Sequence, residues 1–364
     1  MRRHGTERYD NQGHLELTTA AAPNFGDRYV RVGEICPNPA PLLKRPANAS
    51  LLFRRRVCGY PRGVHRGLGV CITATALLVA AGAEAHGFAA NGRIGYLRPL
   101  GGNEPPYSRL FAINPDGSGA VDLTPSGYTD VRSFAWSPDG RRIAFSAIRD
   151  GDHDPELFVL NVGGGDVRRL TDNYLADFQP SWSPDGRWIA FTSIRTGLSQ
   201  IYRMRSDGTA QRRLTNAFGN CDSPAWSPRG GLIAFHCAMA SEKVALMRPD
   251  GTHVRILLRR TNTIETKPAW SPDGRMIACG RGMPGPSWEP LGIWTIRPDG
   301  RSLRRVVARG SAPVFSSDGR WVAFVWDRDG NQELYKVRAD GRGMVQLTNT
   351  YGITEAAPGW QRTP

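Results

Sequence analysis

The chain has 364 residues, of which 40% are hydrophobic, and a formal net charge of +14. This apolar content is enough for a folded core and excludes a wholly disordered protein. The basic residues scatter over predicted hairpins and strands instead of forming one stripe, which argues against a nucleic-acid-binding surface.

The N-terminal part of the sequence has no fold signal. Residues 1–60 show no sustained period of 2 or 3.6, and we predict that residues 1–66 are a disordered extension or a mis-assigned start of translation. In residues 67–85 an apolar run ends at the small residues Ala83 and Ala85, and a basic stretch precedes it. This pattern predicts a secretory signal peptide cleaved after Ala85. The run is short for a spanning helix of ~20 residues, and an uncleaved membrane anchor is the alternative.

A structural unit is best seen in residues 180–215, where turn signals separate four short apolar runs. Ser183-Pro-Asp-Gly186 supplies a proline with fixed φ and then a glycine that accepts a left-handed conformation, as a tight hairpin requires. Asp207-Gly208 is a second strong hairpin signal. The unit is therefore predicted to be a four-stranded antiparallel meander.

The unit recurs every 44 to 46 residues. Its aromatic anchors are Trp136, Trp182, Trp226, Trp270, Phe315 and Trp360. Four strands per unit at this period predict an all-β fold, a six-bladed β-propeller of four-stranded antiparallel blades, over residues 86–364. The first unit lacks an anchor strand, and the last anchor has no unit of its own. We therefore predict that the C-terminal strand completes the first blade and closes the ring.

The motif Trp-Ser-Pro-Asp-Gly, followed by Ile-Ala-Phe and later by Asp-Gly and Leu-Thr, resembles the repeat of TolB-like six-bladed propellers. The resemblance covers residues 92–360. It implies an exported module of the cell envelope, periplasmic or secreted, that binds a protein or another ligand. The α/β domain that precedes the propeller in that family is not predicted in residues 1–90.

Two cysteines flank the hairpin of the fourth repeat. Cys221 and Cys237 are nearly equidistant from its centre, so they should face each other on neighbouring strands within disulfide reach. In an exported protein this predicts a disulfide, with two small buried thiols as the alternative. Cys279 replaces the phenylalanine of the Ile-Ala-Phe motif and is predicted to be an unpaired core thiol.

Acidic residues recur four to six positions ahead of the anchors. They are Asp130, Asp177, Asp222, Glu265 and Glu355. This spacing predicts a position near one mouth of the central channel, with His236 at the same end. As the binding site we predict a mouth formed by Asp177, Asp222, Glu265, Glu355 and His236, which would attract a basic peptide or an envelope protein. Local capping of the entry loops by short carboxylates is the alternative.

The sequence contains no nucleophile elbow, His-Glu-x-x-His motif, phosphate-binding loop or Cys-x-x-Cys pair. We therefore expect a non-enzymatic protein with no cofactor, no metal, no nucleic-acid partner and no stable membrane insertion after signal cleavage. The alternative from another class is a secreted propeller lyase or hydrolase with a metal-assisted site in the channel.

Overall fold

The computed structural model describes residues 92–100, 107–217, 219–238, 242–258, 261–284, 289–328, 330–350 and 356–362. The predicted extension, the signal segment and Glu355 lie outside these ranges. Within them, 24 β-strands form six four-stranded antiparallel sheets, and no helix occurs. The prediction of an all-β, six-bladed propeller is confirmed.

Each sheet is one blade, and the strands follow in sequence order. Blade 1 contains β1 (Ile94–Leu100), β2 (Tyr107–Ile113), β3 (Val121–Asp122) and the last strand, β24 (Ala356–Trp360). Blade 2 contains β4 (Tyr128–Trp136), β5 (Arg142–Arg149), β6 (Glu156–Asn161) and β7 (Arg168–Arg169). Blade 3 contains β8 (Asp177–Trp182), β9 (Trp188–Ser193), β10 (Gln200–Arg205) and β11 (Arg212–Arg213).

The remaining three blades repeat this order. Blade 4 contains β12 (Cys221–Trp226), β13 (Ile233–Ala238), β14 (Glu242–Met247) and β15 (Arg255–Ile256). Blade 5 contains β16 (Ile264–Trp270), β17 (Ile277–Met283), β18 (Glu289–Ile296) and β19 (Arg304–Val307). Blade 6 contains β20 (Ser311–Phe315), β21 (Trp321–Asp327), β22 (Gln332–Arg338) and β23 (Val345–Gln346).

The first strand of every blade is the inner one, and β24 serves as the inner strand of blade 1. The inner strands start on one face of the ring, the entry face, where the loops between second and third strands also lie. The hairpins after the anchors and the turns between third and fourth strands lie on the opposite, exit face.

Ring closure occurs as the sequence predicts. β24 pairs with β1, with Trp360 opposite Ile94. The buried side chain of Gln361 accepts a hydrogen bond from the Arg93 amide (2.9 Å) and donates one to the Gly140 carbonyl of blade 2 (2.8 Å). The Ser317 hydroxyl of blade 6 donates to the Gln361 carbonyl (2.8 Å), so this segment ties three blades together.

The apolar core of the described residues consists of six clusters, and each lies between two neighbouring blades. The Ile-Ala-Phe motif explains this arrangement because successive side chains of a strand point to opposite faces. Ile233 and Phe235 of blade 4 pack against Ala190 of blade 3, whereas Ala234 faces blade 5. The second strand thus presents large side chains to the preceding blade and a small one to the next, where third-strand residues such as Leu246 complete the contact.

The anchor tryptophans also join blades through hydrogen bonds. Trp136, Trp182 and Trp270 donate their Nε1–H to the inner-strand carbonyls of Gly359, Ala135 and Ala225, at 3.1, 3.1 and 2.9 Å. In each case the carbonyl belongs to the preceding blade. These three anchors therefore satisfy their own buried donors while fixing the spacing of the inner strands, whereas Trp226 donates to the Gly230 carbonyl of its own blade.

Basic side chains make the matching contacts on the exit face. At five of the six junctions, an arginine or lysine donates to a carbonyl in a turn of the next blade. The pairs are Arg168 with Asp207, Arg203 with Pro249, Arg255 with Pro298, Arg304 with Asp340, and Lys336 with Pro115. This part of the basic content therefore holds the ring together.

Buried polar side chains at the start of the third strand hold the ends of the fourth strand. In blade 3, the Gln200 Oε1 atom accepts a hydrogen bond from the Thr215 hydroxyl at 2.7 Å. Glu156 takes the same place in blade 2, where the Thr171 hydroxyl and the Asn173 amide donate to its carboxylate. Glu333 does so in blade 6 with Thr348, at 2.5 Å. The threonine of the Leu-Thr motif thus bonds to a buried acid or amide of the third strand, and the sequence analysis did not predict this contact.

One blade junction departs from the repeat. Blade 1 carries Gly95 where other blades carry the alanine of Ile-Ala-Phe, and blade 2 carries Phe134 where other inner strands carry proline. A Cβ atom on Gly95 would lie 2.5 Å from Cε2 and 2.8 Å from Cζ of Phe134. The glycine therefore makes room for the aromatic ring.

We predict that Gly95→Ala destabilises the propeller by about 1–3 kcal/mol, as overpacked cores do. Gly231→Ala is the matched control, because Gly231 has no atom within 4 Å of a Cβ position. Urea denaturation measures the free energy of unfolding of both variants. Phe134→Leu removes the two clashing ring atoms, and the double variant should lose less stability than the sum of the single losses. Additive losses would contradict this account.

We also predict a pH dependence from Glu156. Burial raises the pKa of Glu156 from 4.5 to about 7, so between these values the folded state binds more protons than the unfolded state. The free energy of unfolding should therefore fall as pH rises from about 5 to 8, by up to roughly 3 kcal/mol at ~1.4 kcal/mol per pH unit. Glu156→Gln should abolish this slope, since Gln200 fills the same place in blade 3.

Urea denaturation of both proteins across this pH range measures the slope. Asp166→Asn changes an exposed carboxylate and is the control, which should keep the wild-type slope. Parallel pH profiles for wild type and Glu156→Gln would refute the prediction.

Candidate functional site

A cavity of about 330 Å³ lies where the inner strands of all six blades meet. Most of its wall is formed by the second halves of these strands, from the residue three before each anchor to the anchor itself. Arg132 and a few residues after the anchors, among them Pro138, Pro272 and Arg362, complete the lining. Because every blade contributes one strand, the described residues form a central channel in the propeller ring.

The residues three before the anchors have an unusual backbone. Five of these six residues have positive φ, between 47° and 53°: Gln179, Ser223, Lys267, Ala312 and Ala357. Blade 2 differs, because Ser133 holds this place and the positive φ falls on Asp130. Non-glycine residues rarely adopt this conformation. Here it accompanies a register shift against the second strand in each of the six blades. All six residues at this place line the channel.

One side of the channel is polar. The Gln179 Oε1 atom accepts hydrogen bonds from the Ser223 amide at 2.8 Å and from the Thr192 hydroxyl at 2.9 Å. The backbone amide of Gln179 donates to the Ser133 hydroxyl at 2.6 Å. These bonds link blades 2, 3 and 4 around the channel and fix the Gln179 side chain.

Asp222 and His236 form the next part of this polar side. They lie directly opposite each other on β12 and β13, and Oδ2 of Asp222 is 3.2 Å from Nδ1 of His236. The Ser223 hydroxyl donates to Asp222 Oδ1 at 2.8 Å. Burial alone would raise the pKa of Asp222. The contacts with His236, the Ser223 hydrogen bond and the charge of Lys267 together hold that pKa below its ordinary value.

The order of these contacts limits the chemistry they support. Nucleophilic catalysis by a serine needs a base within hydrogen-bond reach of the hydroxyl. Here Ser223 and His236 both bond to Asp222, so the carboxylate lies between them. His236 Nε2 is buried and has no hydrogen-bond partner among the described residues. The arrangement holds the negatively charged carboxylate of Asp222 in a fixed position beside the channel.

Lys267 of blade 5 lines the channel and contributes a basic amine to its wall. Its side chain is exposed to the channel solvent although the walls surround it. Burial between these walls lowers the pKa of Lys267, and the negative charge of Asp222 opposes this effect. Among the described residues, Lys267 takes part in no hydrogen bond and no ion pair within 4.0 Å.

The charged side chains that line the described part of the channel are all basic: Arg132, Lys267 and Arg362. Arg132 Nε lies 2.8 Å from the Asp130 carboxylate, on the entry face. Burial lowers the pKa of Arg362, which lies toward the exit face. No aspartate or glutamate among the described residues contributes to this lining.

Two of the predicted mouth carboxylates lie elsewhere. Asp177 is fully buried and pairs with Arg195 at 2.7 Å. Glu265 is 1% exposed and lies 3.4 Å from Lys243 Nζ and 3.5 Å from Arg281 Nε. Neither of these two carboxylates lines the channel, contrary to the predicted acidic mouth. They hold the entry loops of blades 3 and 5, which is the capping alternative.

These carboxylates point away from Asp222 because side chains alternate between the two faces of a strand. Asp177 and Glu265 are five residues before their anchors, and in blade 4 this place belongs to Cys221. Asp222 is four residues before its anchor and therefore points to the other face, because a shift of one residue reverses the side-chain direction. The structure thus brings Asp222 and His236 together and separates them from Asp177 and Glu265. Glu355 remains outside the described residues.

The two cysteines of blade 4 lie directly opposite each other, with Cα atoms 4.1 Å apart and their sulfurs joined in a disulfide. The bridge is adjacent to the Asp222–His236 pair on the same two strands and ties these strands together. Cys279 is a buried free thiol, and burial raises its pKa to about 12. No described group of three or more His, Cys, Asp and Glu side chains could hold a metal ion.

Sequence reasoning missed Lys267, Gln179 and Thr192. A lysine before the inner-strand proline belongs to no motif, and only the register shift shows that this place lines the channel. None of the described segments forms a helix with the length and apolar character of a membrane span.

Comparisons with known proteins agree with this geometry. The PD40 family model, the TolB β-propeller domain, matches residues 127–310, about half of the protein. TolB from Acinetobacter baumannii has a similar structure, with TM-score 0.65 and 22% identity over 75% of this chain and 67% of that one. Hydrazine synthase of Kuenenia stuttgartiensis has TM-score 0.61 and 12% identity, over 74% of this chain and 47% of the other. Both likenesses concern the fold alone.

A shorter match covers a single repeat length. Over 44 residues, the protein is 48% identical to a Bacillus subtilis (strain 168) protein described as uncharacterized peptidase YuxL. This segment is 12% of the present protein and only 6% of the Bacillus one. The family model, in contrast, spans four of the six blades observed in the structure. The chain belongs to the TolB β-propeller domain family.

Proposed function

We propose that this propeller is a non-enzymatic binding module whose central channel receives a segment of a protein partner from the entry face. The observation that carries the proposal is a channel lined by six strands, with fixed polar groups and a lysine, Lys267, that makes no hydrogen bond or ion pair with the described residues. Propeller rings commonly use such concave central surfaces for binding, and pockets with a few convergent polar groups are the usual binding sites of proteins.

The entry face also carries exposed apolar side chains in two loops of blade 3. Tyr174 is 97% exposed in the loop that leads into blade 3, and Leu175 follows it. Leu198 is exposed in the next loop of the same blade, which is tied to the first by the Ile194 amide and the Ala176 carbonyl at 3.2 Å. Exposed aromatic and aliphatic side chains on the same face favour a protein partner over a small solute.

We further propose that the protein is exported and acts in the cell envelope, in the periplasm or outside the cell. The support is the basic and apolar pattern of residues 54–85 and the Cys221–Cys237 disulfide, which is typical of oxidising compartments. The similar TolB structures fit this location. An envelope protein is the partner that the proposal implies.

We predict that a photocrosslinking residue on the entry face captures this partner. p-Benzoylphenylalanine at Tyr174 or at Arg132 should give adducts with the same protein in envelope-containing cells. The control is Val254, which is exposed on the exit face. Mass spectrometry identifies the adducts and the crosslinked segment.

Equal adducts from Val254 would show that contact is not specific to the entry face. Adducts from none of the entry-face positions would contradict a protein partner at the channel.

A further inference from the structure

We infer that Lys267 is the anchoring residue of a carboxylate subsite in the channel, where it pairs with an acidic side chain or a free C-terminal carboxylate of the bound segment. This deepens the proposed function and rests on it for the role of the channel. It also reverses the charge of the partner expected from the sequence, because the lining of the described channel is basic.

The first support is that Lys267 differs from the other two lysines of the described residues. Lys243 is buried, and its Nζ donates to the Thr261 carbonyl at 2.9 Å and lies 3.4 Å from Glu265. Lys336 donates to the Pro115 carbonyl at 2.6 Å and lies over the Trp321 ring. Both hold the fold together. Lys267 makes no such contact, although building an unpaired charge among channel walls opposes folding.

The second support is that Asp222 is already engaged. One of its carboxylate oxygens faces His236 and the other accepts a hydrogen bond from Ser223. Its charge acts on Lys267, but no oxygen of Asp222 lies within ion-pair distance of the lysine amine. The amine is therefore held in the channel near a negative charge and remains open to a ligand.

The third support is the space beside the amine. The two blades that follow blade 5 around the ring present only methyl groups at the place equivalent to Lys267, namely Ala312 and Ala357. This side of the 330 Å³ channel therefore has room for a side chain of the partner. The enclosing walls reduce the contact with bulk water, which strengthens an ion pair relative to one on an open surface.

A single ammonium group suits a carboxylate in particular. Phosphate groups are usually bound by several donors together, such as arginine forks or a series of backbone amides. The amide of Ser223 is not available for this, because it donates to Gln179. Arg132 lies toward the entry face and its guanidinium already pairs with Asp130. Arg362 is also without an ion-pair partner among the described residues, but it lies toward the exit face. At the place three residues before the anchors, the channel thus offers a single unpaired positive charge, that of Lys267.

The small number of lysines allows a direct test in the full-length protein. Its four lysines are Lys44, Lys243, Lys267 and Lys336, so ¹³C-labelled methylation of their amines gives few resonances. Lys267→Arg assigns the Lys267 resonance by its absence. The probes are four acetylated pentapeptides: amidated Gly-Ser-Glu-Gly-Ser, the same peptide with glutamine or with lysine in place of glutamate, and the glutamine peptide with a free C-terminus.

We expect the glutamate peptide to shift the Lys267 resonance with saturation and to leave Lys336 unmoved. A shift with the free C-terminus alone would place the peptide end, not an acidic side chain, at Lys267. Lys267→Met should weaken binding by about tenfold or more, as loss of a partly enclosed charge pair does, whereas Lys267→Arg should retain binding. Unchanged thermal midpoints show that the variants remain folded.

A Lys267 resonance that moves with neither carboxylate, or that moves equally with the glutamine amide or lysine peptide, would overturn the subsite. The wild-type titration decides this even if a variant fails to fold. If crosslinking from the entry face succeeds while Lys267 does not respond, the proposed function stands and only the carboxylate subsite is rejected.

Discussion

The structure depends on apolar contact between neighbouring blades. No blade buries its faces by itself, because each of the six clusters takes its buried side chains from two neighbouring blades. A row of such blades would leave two apolar faces uncovered at its ends. The ring removes both, and the strand that completes it is β24 beside β1.

Polar contacts then set the spacing of the blades. Anchor tryptophans join the inner strands, basic side chains join the exit-face turns, and buried carboxylates or amides hold the entry loops. Most buried polar groups near the channel are used in this way, since unpaired groups are costly. Among the described residues at the channel, the exceptions are the amine of Lys267, the guanidinium of Arg362 and Nε2 of His236, because none of them donates or accepts a hydrogen bond that holds the ring.

The period of the anchors and the turn dipeptides were enough to predict the six blades and their closure. Turn dipeptides reflect local backbone geometry, and the repeated motifs reflect an alternation of large and small side chains. Both can be recognised in the sequence without knowledge of distant contacts. The site could not be predicted in the same way. Whether a residue such as Asp222 or Glu265 faces the channel depends on a register shift at a left-handed residue, and this shift reverses the side-chain direction. The described part of the channel mouth is therefore basic where the acidic residues suggested the opposite.

The central claim is that β24 makes the ring one cooperative unit that encloses the channel. Native-state hydrogen exchange of the Gln361 amide tests it directly, because this amide donates to the Arg93 carbonyl at 2.8 Å across the closure. The reference is the Ser183 amide of blade 3, which donates to the Trp188 carbonyl at 2.8 Å. The account predicts that both amides exchange with the same free energy of opening, that of global unfolding. Exchange of Gln361 through a local opening of much lower free energy, while Ser183 stays protected, would contradict it.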